Sequence, residues 1–243
     1  LADGSWEPLS FIPDTLPPAV SLQQNSYGDF WGILPHSSNN GVIVFNIDSK
    51  EYRIINTGSG LPSSTVADIA FDQDDYTWLA TSGGLAIVAN TYEVLDPVDL
   101  LISYPVAENA FVLNDEPVQA IEIDGANRKW IGTEKGLFLL DEYGVGTLTS
   151  FTRESSPLAA NDVQQLTINN SSGELFVLTS GGLLSYRTTA TAPSRVVQKA
   201  KIFPNPVRPG FNGVVAIEGL AYDAVVKITN EAGRLVREMV STG

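Results

Sequence analysis

The 243-residue chain has no cysteine, one histidine (His36) and one methionine (Met239). Without cysteine there are no disulfides, no thiolate metal ligands and no thiol nucleophile. With one histidine besides, a zinc site within this chain would have to rest on carboxylates. Basic residues are scarce, 14 against 28 acidic, giving a formal charge of −14. That balance argues against a general nucleic-acid binder, which needs a basic footprint. No apolar run approaches the roughly 18 residues that span a bilayer. The opening residues, Leu1 to Trp6, show no basic stretch followed by an apolar one, so no leader peptide is legible. No long stretch keeps the i, i+3, i+4 apolar spacing of a helix. What is present is 43% hydrophobic content with 21 glycines and 14 prolines, ample for a packed core with many turns.

The acidity is unevenly spread. Residues 1–194 carry a net charge of −17 and residues 195–243 a net charge of +3. The sign change predicts two units of different character. Between them Thr188 to Ser194 is small, polar and proline-containing, as a linker is.

The chain repeats itself. Leu61–Asp72 followed by Trp78-Leu79-Ala80-Thr81 and Gly84-Leu85 aligns with Leu113–Asp124, Trp130-Ile131-Gly132-Thr133 and Gly136-Leu137. A third copy runs Leu158–Asn169, Phe176-Val177-Leu178-Thr179 and Gly182-Leu183, and a weaker one lies around Trp31 and Gly41–Phe45. The aromatic marks Trp31, Trp78, Trp130 and Phe176 are spaced by 47, 52 and 46 residues, the period of propeller blades. Period-2 pairs such as Ile69/Phe71, Ile121/Ile123 and Leu166/Ile168 predict strands. Turn-forming stretches follow at Asp72–Asp75, Asp124–Asn127 and Asn169–Gly173. Gly84, Gly136 and Gly182 sit where a tight turn needs positive φ. The expected fold is all-β: four-stranded antiparallel meanders forming blades of an incomplete propeller, with more blades expected upstream.

The pattern L…V…I…D…W-I-G-T…G-L, closest in Trp130–Thr133 with Gly136-Leu137, resembles the two-component regulator propeller repeat. The segment Lys201-Ile202-Phe203-Pro204-Asn205-Pro206-Val207-Arg208-Pro209 resembles the opening of the sorting domain of the type IX secretion system of Bacteroidota. The resemblance implies that Pro204, Asn205, Pro206, Arg208 and Pro209 belong to that motif and that a truncated Ig-like β-sandwich follows the blades. The implied organisation is a connecting segment over 1–24, about four blades over 25–187, a linker over 188–198 and the first part of the sorting domain over 199–243. The pairing of repeat and motif is similar to the PorZ-type family of surface components of that machinery. It implies an exported, non-enzymatic protein at the outer-membrane surface, binding anionic lipopolysaccharide or proteins of the sortase complex, with no cofactor and no nucleic acid. Other settings for such blades are the periplasmic ectodomain of a hybrid two-component sensor and a secreted carbohydrate-active cargo enzyme. On this reading the chain is the junction of a larger protein.

Asp72, Asp74 and Asp75 cluster as in a calcium loop, but the aligned turns keep turn formers and not carboxylates, so they are expected to build a hairpin turn. His36 lies in an insertion without a G-x-S-x-G elbow nearby and is expected in an exposed loop. No pair among the 28 acidic residues stands out as a glycosidase dyad. Trp78, Trp130 and Phe176 recur at one blade position together with Gly84, Gly132, Gly136 and Gly182, which predicts packing between blades rather than a sugar platform. Lys199, Lys201, Arg208, Lys227, Arg234 and Arg237 form a basic tail that can meet phosphate or carboxylate groups.

Overall fold

In the computed structural model the described residues are 6, 8–36, 40–107, 110–113, 116–190, 200–206, 208, 210–220, 224–230 and 234–241. They fall into two compact units. The first comprises Leu1–Ile123, Asn127–Thr167 and Phe176–Ser185, and the second Asp124–Ala126, Ile168–Leu175 and Tyr186–Gly243.

The first sheet is β1 (Ser21–Gln24), β2 (Phe30–Ile33), β3 (Val42–Asn46) and β4 (Glu51–Ile55), in that order. The second is β5 (Val66–Phe71), β6 (Thr77–Thr81), β7 (Gly84–Val88) and β8 (Ile102–Ser103), followed by a small hairpin of β9 (Val106–Ala107) and β10 (Ala110–Phe111). The third is β11 (Val118–Ile123), β12 (Lys129–Thr133), β13 (Gly136–Leu140) and β14 (Thr147–Phe151). The fourth has three strands, β15 (Val163–Asn169), β16 (Glu174–Thr179) and β17 (Gly182–Arg187). These are antiparallel meanders of the blade type. The first begins at Ser21, four residues earlier than the repeat suggests, because Ser21–Gln24 pair with Phe30–Ile33. Two hairpins follow in the second unit, β18 (Lys201–Phe203) with β19 (Ala216–Glu218) and β20 (Val225–Thr229) with β21 (Leu235–Val240). Most of the expected linker, from residue 191 on, lies outside the described residues.

Strand alternation puts successive side chains on opposite faces, and here both faces are covered. Leu79 of β6 packs into a cluster with Trp31, Val42 and Val44 of the first sheet. Its neighbours Trp78 and Ala80 pack the other way, against Val118, Ile121 and Ile131 of the third. All five residues of β6 and of β12 are therefore buried.

Gly84, Gly136 and Gly182 have φ of 113°, 141° and 142°, the conformation their turns demanded. At Gly136 a Cβ would also stand 2.4 Å from the Phe151 carbonyl oxygen, whereas at Gly182 it would meet nothing within 4 Å. Gly182→Ala should therefore cost only the backbone strain, about 1–3 kcal/mol. Gly136→Ala should cost more, because the β14 backbone must also move. Thermal melts of the two variants check the ranking, and equal losses would contradict it.

Candidate functional site

The first-to-second-strand turns repeat one device. The side-chain oxygen of Asn25 accepts from the N–H groups of Tyr27 (3.0 Å) and Asp29 (2.8 Å). Asp72 Oδ1 accepts likewise from Asp74 (3.0 Å) and Tyr76 (2.9 Å). Asp124 accepts from Ala126 and Asn169 from Ser171. The fourth turn residue is left-handed in the first three sheets, as Gly28 (88°), Asp75 (62°) and Asn127 (58°). Asp, Asn and Gly are the residues that tolerate this φ and close such turns. The oxygens of Asp72 are thus spent on the hairpin and on what lies beneath it. Among the described residues no group of three His, Asp or Glu is placed to hold a metal.

Beneath the Asp72 turn lies a feature that the sequence reading missed. Lys129, the first residue of β12, is 0% exposed. Its ammonium lies 3.1 Å from Asp72 Oδ2, donates to the carbonyls of Asn127 (2.8 Å) and Glu142, and sits 5.0 Å from the Trp78 ring centroid. The Trp78 indole N–H donates to the same Asp72 oxygen at 2.8 Å. The second and third sheets are thereby joined by a satisfied buried ion pair. Burial holds the Lys129 ammonium below the usual lysine range, against the opposing pull of Asp72. The one sequence signal was a lysine directly before the blade tryptophan in a strand with two buried faces.

The innermost strands are stitched together through side chains. Gln23 Nε2 donates to the Ile69 carbonyl (2.9 Å), Asp68 Oδ2 accepts from the Ile121 N–H (3.0 Å), and Gln119 Nε2 donates to Asp162 Oδ1 (2.9 Å). β5 and β11 both shift register at the same place, between Val66 and Asp68 and between Val118 and Ala120. Burial raises the Asp68 carboxyl above its usual range although the Ile121 and Ile69 N–H groups pull it down. These strands line a cleft of about 650 Å³ with Asp68, Gln119, Gln164, Thr167 and His36 among apolar neighbours. His36 is exposed, as expected, and its Nε2 lies 3.2 Å from the Val66 carbonyl. Amides, a carboxyl and hydroxyls on an apolar wall make a surface that can bind and orient a polar ligand.

Trp78 and Trp130 are 1% exposed, the latter stacked on Phe151 with ring centroids 6.0 Å apart. Phe176 departs from the expected packing role. On β16 the buried residues are Leu175, Val177 and Thr179, while Phe176 and Leu178 line the cleft. The flank that the third sheet covers on β6 is a cleft wall on β16. Gly132 keeps the third sheet tight: a Cβ there would lie 2.6 Å from Val163 Cγ1 of β15.

In the second unit Pro204, Asn205, Pro206 and Arg208 follow β18, while Val207 and Pro209 lie outside the described residues. Lys201, Arg208, Lys227, Arg234 and Arg237 are all exposed, and Lys227 lies 3.5 Å from Glu238. Lys199 lies outside the described residues.

Sheets of this kind, with turn-built ends and a polar inner face, define an all-β protein assembled from propeller-type blades. No family model matches the chain, and no curated protein matches it. Among solved structures it is similar to PorZ, described as an essential bacterial surface component of the type-IX secretion system of Porphyromonas gingivalis. The identity is 28% over 93% of this chain and 33% of that one, with a TM-score of 0.64. It is also similar to the extracellular domain of BT4673 from B. thetaiotaomicron, described as a one-component system, at 16% identity over 97% of this chain and 33% of that one, TM-score 0.57. A structure described as a gluconolactonase aligns at 12% identity over 78% of this chain and 65% of that one, TM-score 0.54. The last two likenesses are of fold alone. The chain spans about a third of the length of PorZ and of the BT4673 domain.

Proposed function

We propose that the chain is part of an exported, non-enzymatic surface protein, PorZ-like, that binds anionic lipopolysaccharide or proteins of the type IX sortase complex at the outer membrane. The observation that carries this reading is the 28% identity to PorZ over 93% of the chain. On this proposal residues 25–187 are blades of an incomplete propeller and 199–243 open an Ig-like sorting domain, with Pro204, Asn205, Pro206, Arg208 and Pro209 as its motif. Charge then divides the labour. Blades with a net charge of −14 repel a polyanion, so phosphate or carboxylate groups would be met by the exposed cations of the second unit.

Pull-down of purified anionic lipopolysaccharide by the chain is the test. Capture should weaken steeply with salt, since released counterions drive such binding. Replacing Lys201, Arg208, Arg234 and Arg237 by Glu should abolish it, with the blades still folded by circular dichroism. Capture that survives the four replacements would move the contact elsewhere, and no capture by the unaltered chain would leave the protein-binding reading alone.

The alternative is the periplasmic ectodomain of a hybrid two-component sensor, suggested by the fold likeness to the BT4673 extracellular domain, which is also described as part of a hybrid two-component system. It predicts a transmembrane helix of about 20 residues and kinase modules in the whole reading frame, where the surface reading predicts neither.

A further inference from the structure

The first three sheets each close with an outer fourth strand, while the fourth sheet stops at its third, β17. One position registers the difference. The apolar residue after the turn glycine is buried in the first three sheets, Val42 at 0% exposure and Leu85 and Leu137 at 2%, but its equivalent Leu183 is 67% exposed. An outer layer supplies the cover each time. Ile55 of β4 stands opposite Val42, and Phe151 of β14 stands opposite Leu137 and stacks on Trp130. Val112 and Leu113 pack against the cluster that holds Leu85. In the fourth sheet Leu183 and Phe176 are the equivalents of Leu137 and Trp130, and both line the open cleft.

The chain that follows does not fill this place. After β17 the Thr188 N–H donates to the Gly173 carbonyl (2.8 Å), which carries the backbone to the β15–β16 turn rather than back along β17. Among the described residues the outer strands β4, β8 and β14 are each already paired in their own sheets. The edge is also unguarded. β8 is two residues long and β4 carries Glu51 and Arg53, whereas β17 presents Leu183, Leu184 and Tyr186 with no charge before Arg187. Shortness and charge are what keep an edge strand from pairing.

We propose that the edge of β17 takes an extended segment of a partner protein as an antiparallel fourth strand, with an aromatic or branched apolar side chain opposite Leu183 and against Phe176. The chemistry of the occupant follows from β4 and β14, which fill the same place in sheets of the same repeat. Ladder hydrogen bonds supply affinity, and the recess at Leu183 and Phe176 selects the side chain. Blades with a net charge of −14 turn away an acidic strand. A second copy has no spare strand among the described residues and could meet this edge only through its own β17. Phe176–Ser185 belongs to the first unit, so the site stands or falls apart from the cations of the second.

The test is fluorescence anisotropy of the full chain with a labelled peptide of the sequence Gly146–Thr152, the outer strand of the third sheet. Peptides carrying Phe151→Asp or Thr149→Pro are run alongside. The parent peptide should bind, and each altered peptide should bind at least about tenfold more weakly, as for one large apolar side chain or a ladder bond lost from the contact. Leu183→Lys in the chain should weaken the parent peptide similarly, and Leu148→Lys, at an exposed position of β14, should not. Melting curves confirm that both variants are folded. Amide exchange across Gly182–Ser185 should slow when the peptide is bound, which apolar adhesion to the cleft would not cause. The proposal is overturned if the parent peptide does not bind, if Phe151→Asp in the peptide or Leu183→Lys in the chain changes nothing, or if the β17 amides are not protected. Light scattering that finds a dimer of the chain dispersed by Leu183→Lys would make a second copy the occupant and overturn it as well. So would a whole protein that fails to bind the peptide this chain binds, since a segment of its own would then hold the edge.

Discussion

Replacing Lys129 by Met should destabilise the first unit by about 3–5 kcal/mol, the cost of leaving one member of a buried ion pair uncompensated. Asp72 then keeps its charge beneath the turn with only the Trp78 indole and two backbone N–H groups to offset it. The carbonyls of Asn127 and Glu142 lose their donor as well. Guanidinium titration followed by tryptophan fluorescence reads this directly, because Trp78 lies against the ammonium. The double variant Asp72→Asn/Lys129→Met should recover part of the loss. Asn still closes the turn through its carbonyl oxygen and leaves no buried charge. A double variant as unstable as Lys129→Met alone would show that the pair matters through packing rather than charge.

The same pair predicts a pH signature. The folded-state pKa of Lys129 is depressed by burial. Between that value and the ordinary lysine pKa near ~10.4, the unfolded chain holds a proton that the folded chain has released. The resulting stability is present in full above the unfolded value and lost as pH falls through the folded one. The wild type should therefore gain on Lys129→Met as pH climbs through this window.

The second large effect concerns the blade aromatics. Trp78→Ala should cost about 3–5 kcal/mol, as for large-to-small changes at fully buried sites, and it also strips Asp72 of a donor. Trp130→Ala should cost about as much. Phe176→Ala, at the position the repeat treats as equivalent, should cost less, about 1–2 kcal/mol, because its ring is only partly buried on the cleft wall. Denaturant midpoints of the three variants decide it. Equal losses would mean that Phe176 is buried as the tryptophans are.

That contrast marks where sequence reading succeeds and where it stops. Period-2 alternation, the 46–52-residue spacing and the turn glycines are local signals, and each predicted its strand or turn. The Asp72 turn was legible for the same reason, since an Asx side chain bonds its own backbone a few residues on. Partners some 50 residues away were not legible. Asp68 reaches the Ile121 N–H and Lys129 reaches Asp72 because neighbouring sheets bring them together. Nothing in either local pattern announces it. Phe176 was misplaced for a related reason. The repeat gives a position within a sheet, while burial depends on whether another sheet covers that flank. The basic tail was legible as composition, and its exposure belongs to the fold.

Protease shaving of intact cells expressing the whole protein, probed with an antibody raised against this chain, tests the surface assignment most directly. The PorZ-like reading predicts that the signal is lost from intact cells while a periplasmic marker survives. Protection of the chain until the outer membrane is permeabilised would contradict it and place the blades in a periplasmic sensor.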